Sequence, residues 1–68
     1  MTDYEVRIIN QRSEIERLIN EIYLTIVNHP EMTINDRSLL HQAIDYLNDA
    51  RVASQAISDA LERRNSNT

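Results

Sequence analysis

Cysteine is absent from this chain, so disulfides and thiolate metal sites are both excluded. Glycine is absent as well, which removes Gly-rich phosphate loops and the strained turn that carries a G-x-S-x-G serine nucleophile. There is one proline, and neither Phe nor Trp. A sheet protein needs turn residues at short intervals and is rich in aromatics, so an all-β fold is not expected. Lysine is missing too: all seven positive charges are arginines, against eleven carboxylates, for a net charge of −4. An acidic chain with no basic stripe is a poor ligand for nucleic acid and lacks the cationic face of a membrane-surface helix. The longest strongly apolar run, Ile22 to Val27, is far too short to span a bilayer. No basic start followed by an apolar stretch and a small-residue cleavage site marks a signal peptide, so the expected address is cytoplasmic.

What is present is helical. Thr2 and Glu5 stand three apart, the spacing of a capping box, and Asp3 and Glu5 suit the positive end of a helix dipole. Apolar residues then recur at Tyr4, Ile8, Ile15, Leu18, Ile22 and Ile26. Ser13 and Glu16 repeat the capping pattern beside the polar stretch Asn10-Gln11-Arg12, which allows a break and a three-helix arrangement. A continuous helix over about 3–28 is favoured, because nothing within it forbids one. Pro30 pushes the residue before it out of the α region and sets a turn at 29–33. Thr33, with Asp36 three residues on, caps a second helix over about 34–64. Its stripe reads Leu40, Ala43/Ile44, Leu47, Ala50, Ala53, Ile57 and Leu61, and residues 65–68 are expected to fray. The fold class is therefore an all-α, single-domain antiparallel helical hairpin.

A chain of 68 residues buries only about 60% of the surface its unfolded form exposes, and domains this small usually need a staple or a partner. The segment Ile22 to Val27 is apolar nearly all round, whereas a lone hairpin gives each helix one neighbour. Leu24 and Val27, or else Tyr23 and Ile26, would then face water. A third helix or a second copy has to cover them, and assembly into a homodimer is the expectation. The alanine-rich end of the second stripe leaves room for a neighbouring helix there.

Chemistry-bearing constellations are sparse. His41 and Asp45 are four apart on one helix face, a spacing that suits a shared proton or metal, yet two ligands make no site; a surface pair is the expected reading, with no metal and no cofactor. Glu14, Glu16, Glu21, Asp45, Asp49 and Asp59 fall where a solvated face is expected. Several have arginines three or four residues away.

The stretch Leu39-Leu40-His41-Gln42-Ala43-Ile44-Asp45-Tyr46-Leu47-Asn48, together with Ile15-Glu16-Arg17-Leu18 and the turn before Thr33, resembles the small helical-hairpin aspartyl-phosphate phosphatases of sporulating bacteria. Their S-Q-E-L-D signature is matched at Gln42 and Asp45, conservatively at Ile44, and departed from at His41 and Ala43. The resemblance implies a hairpin that docks on a response-regulator receiver domain, with Gln42 and Asp45 orienting the attacking water. The run from Asn35 to Leu61 is similar, more weakly, to the non-enzymatic biofilm and acid-resistance connector proteins of enteric bacteria. The reading that the residues themselves favour is a non-enzymatic protein–protein interaction module: an adaptor, regulator or inhibitor. Its expected contact residues are Tyr23, Leu24, Val27, Tyr46, Ala50, Arg51, Ala53 and Ala56, Tyr and Arg being enriched at binding hot spots.

Overall fold

The computed structural model describes residues 2–66. Two helices, α1 (Asp3–Asn28) and α2 (Ile34–Ser66), run antiparallel and pack along their length in a rod of 53 × 16 × 14 Å. No strand occurs among the described residues.

Local signals start both helices, and stop α1, where the sequence places them. Thr2 caps α1: its backbone N–H donates to Glu5 Oε1 at 3.0 Å, and its hydroxyl accepts from the Glu5 N–H at 3.4 Å. His29 leaves the α region (φ −128°, ψ 70°), as a residue before proline must, and its carbonyl accepts from the Met32 N–H at 3.1 Å. Thr33 Oγ1 then accepts from the Asp36 N–H at 3.1 Å and opens α2. Helix α1 is continuous through Ser13, so the three-helix alternative is discarded. Helix α2 continues two residues past its expected end at 64. Asn65 and Ser66 are helical, because the Asn65 amide donates to both Glu5 Oε2 and the Leu61 carbonyl at 2.8 Å. Residues 67 and 68 lie outside the described residues.

The interface follows a seven-residue rhythm on both helices, that of nearly parallel helix axes. From α1, Glu5, Ile8, Arg12, Ile15, Ile19, Ile22 and Ile26 are buried or half-buried. From α2 the matching set is Arg37, Leu40, Ile44, Leu47, Ser54, Ser58, Leu61 and Asn65. This corrects both expected stripes. Tyr4 and Leu18 are exposed, and Ile19 takes the central place on α1. On α2 the apolar stripe turns out of the interface after Leu47: Ala50, Ala53 and Ile57 are exposed, while Ser54, Gln55 and Ser58 face α1 in their stead. Their polar groups are partly matched there. Arg12 Nη1 donates to Gln55 Oε1 at 3.3 Å and to Ser58 Oγ at 3.4 Å, although its Nε is buried with no partner. The hairpin is thus aliphatic toward the turn and polar toward its open end.

Candidate protein-binding surface

The buried apolar set among the described residues is small: Ile19, Ile44 and Leu61. Eleven large hydrophobic residues among those described stay exposed. Helical spacing sorts most of them onto two flanks of the rod.

The first flank belongs mainly to α2. Leu39, Ala43, Tyr46, Ala50, Ala53, Ile57 and Ala60 follow one another at alternating steps of four and three, so they form one continuous line along the helix. This line lies one residue, about a quarter turn, round from the line that packs on α1. Every member is apolar, and Leu39, Tyr46 and Ile57 are 54, 75 and 50% exposed. On the same flank α1 presents Tyr4 and Leu18, with Leu18 and Ile15 bordering an open groove of about 390 Å³. The Tyr4 phenol helps to raise the Arg64 pKa, which places these two residues on one side of the rod.

The second flank is shorter and sits near the turn. Tyr23 and Val27 follow each other by one helical turn on α1, and Ile34, the first residue of α2, is exposed as well. On this side of the rod Glu16, Asn20, Asn48 and Arg51 line a cleft of about 210 Å³.

The residues that sequence reasoning selected are therefore divided. Tyr46, Ala50 and Ala53 come together on the first flank. Ala56 stands just outside that line, toward solvent. Tyr23 and Val27 are on the second flank with Arg51 further along it, and Leu24, 57% exposed, points away from α2. Leu18, Leu39 and Ile57 were missed as surface residues. The signal for them is the unbroken four-three spacing from Leu39 to Ala60, which the reading of a single core stripe absorbed in part.

The polar constellations stay apart. Gln42 and Asp45 are exposed on the side of α2 that faces away from α1, with His41 on the adjoining surface. All six carboxylates of the expected solvated face are exposed. No group of three His, Asp or Glu side chains able to hold a metal occurs among the described residues. An exposed ion pair joins Arg17 to Glu21 at 2.7 Å, and His29 Nδ1 lies 3.0 Å from Glu31 Oε1. The Glu31 carboxyl is held below its usual range by its own backbone N–H and then by the His29 ring.

Glu5 is the exception to the solvated rule, with a side chain only 5% exposed. Its pKa is lowered to about 2, first by the Thr2 backbone N–H, then by the Asn65 amide and the Arg64 guanidinium, against the opposing effect of burial. Arg64 is correspondingly raised, chiefly by its hydrogen bond to Glu5. This cluster ties the start of α1 to the end of α2 at the open end of the rod. No family model matches the chain, and neither a curated protein nor a solved structure matches it.

Proposed function

We propose that the chain is a non-enzymatic protein–protein interaction module, an adaptor, regulator or inhibitor that presents preformed helix faces to another protein. The observation that supports it most directly is the imbalance, among the described residues, between three buried hydrophobics and eleven large exposed ones, most of them ordered on two flanks of the rod. Single exposed apolars are ordinary, but contiguous ones mark interaction surfaces. A rigid helix face also binds without the ordering cost that a disordered segment carries. The acidic surface argues against nucleic acid as the partner. No helix among the described residues is long and apolar enough to cross a membrane, and a cytoplasmic setting fits both facts.

The test is affinity capture with tagged chain in the source cell. Tyr23→Asp combined with Val27→Asp, or Ala53→Asp alone, should lose a protein that the wild-type chain and Gln42→Ala both retain. If all of these chains capture the same set, the interaction reading is wrong. The second reading is a phosphatase acting on a phosphorylated receiver domain. It draws on Gln42 and Asp45, less than one helical turn apart and both exposed where a docked domain would reach them.

A further inference from the structure

We propose that the α2 flank from Leu39 to Ala60 is a homodimer seam, on which a second copy of the chain pairs antiparallel about a two-fold axis beside Ala50. The proposal rests on the interaction reading above and names the occupant of one of its faces.

Four-three spacing without a charged residue is the pattern of a coiled-coil seam, and α2 carries it on the open flank, whereas its line toward α1 includes Arg37 and Arg51. The order of sizes along the open seam selects the partner. Read from either end, each large side chain meets an alanine when the seam is laid against its own reverse. Leu39 then faces Ala60 of the second copy, Tyr46 faces Ala53, and Ile57 faces Ala43. Only the middle layer, Ala50 against Ala50, has no large side chain. The contacts of Arg12 with Gln55 and Ser58, and of Glu5 with Arg64 and Asn65, fix the register of the hairpin. Continued along α1, that register places the exposed Leu18 level with Ala50, where it fills the gap from the side. A parallel pairing would instead set Tyr46 on Tyr46 and Ile57 on Ile57, and open voids at the alanines between them.

The exposed area agrees. The chain has 5165 Å² of accessible surface, whereas a compact monomer of its mass, 8.0 kDa, has about 4,450 Å². The excess of about 700 Å² is close to the ~800 Å² per partner of a standard stable interface. Pairing on this flank produces a four-helix bundle, in which each α2 touches its own α1 on one side and the other α2 on the next. One term opposes it: the same axis brings Asp49 toward its own copy. Association should therefore tighten with added salt and on Asp49→Asn.

Two measurements on the purified full chain decide the matter. Sedimentation equilibrium should give twice the 8.0 kDa of one chain, with Ala53→Arg weakening association at least a hundredfold while Val27→Arg, on the other flank, leaves it unchanged. Because the chain has no cysteine, single-cysteine variants report the register cleanly. Ala50→Cys should form a covalent dimer on mild oxidation. Leu39→Cys and Ala60→Cys should each fail alone and cross-link when mixed. If Ala53→Arg loses its helical circular dichroism, the cysteine pattern decides by itself. A chain that stays monomeric at millimolar concentration overturns the proposal, as does a dimer in which Leu39→Cys cross-links to itself and Ala50→Cys does not. A monomer whose Ala53→Arg variant loses capture of a different protein overturns the dimer and keeps the interaction reading. Absence of both self-association and capture removes both.

Discussion

The carboxylate of Glu5 accepts a hydrogen bond of 2.6 Å from Arg64 Nη2, joining residues 59 apart in sequence at the open end of the hairpin. The pair is unequal, since the Arg64 side chain is 58% exposed and that of Glu5 is 5% exposed. A surface ion pair adds little by itself. Here the carboxylate also accepts from the Thr2 N–H and the Asn65 amide, so one group caps α1 and holds the last turn of α2.

That double duty has a pH signature. The folded-state pKa of Glu5, about 2, lies below its ordinary value of 4.5. Its stabilising contribution is therefore complete above the ordinary value and is lost as pH falls from there toward 2. Thermal midpoints of the wild-type chain should decline through this window. Glu5→Gln should start lower at neutral pH and decline less, the two curves converging near pH 2. Parallel acid limbs for the two proteins would show that Glu5 is not the group responsible.

Arg12 makes a prediction of opposite sign. Its guanidinium lies in the interface, hydrogen-bonded to Gln55 and Ser58, and its Nε is buried without a partner. An unsatisfied buried donor costs about 1–3 kcal/mol, and an apolar side chain of similar length removes that cost together with the desolvation of the charge. Arg12→Met should accordingly raise the urea midpoint, the more so when Ser58→Ala is added. A fall in the midpoint for both variants would mean that the hydrogen bonds of Arg12 outweigh its orphaned Nε.

Much of this architecture can be read from the residues. Thr2, Pro30 and Thr33 act through local chemistry, and each starts or stops a helix where its side chain or ring requires. The faces were less legible for a reason visible on α2. Its apolar residues drift from the line of Ile44 and Leu47 to that of Ala50, Ala53 and Ile57, and a search for one hydrophobic stripe follows them. The chain keeps a strict seven-residue register instead, because the long Arg12 side chain finds partners in Gln55 and Ser58 across the interface. Glu5 hides in the same way. It stands seven residues before Arg12 and fourteen before Ile19, an interface position, but as a carboxylate in a first turn it is taken for a simple cap. The proposed interaction surface follows from both misplacements, since it is assigned to the apolar residues left out of the core.

Gln42 and Asp45 provide the decisive comparison for the phosphatase reading. Both are exposed and neither contributes to the interface with α1, so Gln42→Ala and Asp45→Ala should change stability by no more than about 0.5 kcal/mol. Under the interaction reading, neither substitution changes partner capture, and the chain leaves the lifetime of a phosphorylated receiver domain unaltered. Loss of receiver phosphate that is accelerated by the wild-type chain and abolished in either variant would reverse the assignment.

Ile44 and Ile57 separate the two seams of α2 energetically. Ile44 is 2% exposed and Ile57 is 50% exposed. Truncating a fully buried isoleucine costs about 2–5 kcal/mol, and each kcal/mol shifts the midpoint of a domain this size by about 4–8 °C. Ile44→Ala should therefore lower the thermal midpoint steeply at every protein concentration, because its packing lies within one chain. Ile57→Ala should have little effect in dilute solution, where single hairpins dominate. As concentration rises the wild-type midpoint should climb and that of Ile57→Ala lag behind it, because mass action favours the paired state that the substitution weakens. A constant gap between wild type and Ile57→Ala from dilute to concentrated solution would place Ile57 in the monomer's own packing and take it off the dimer seam.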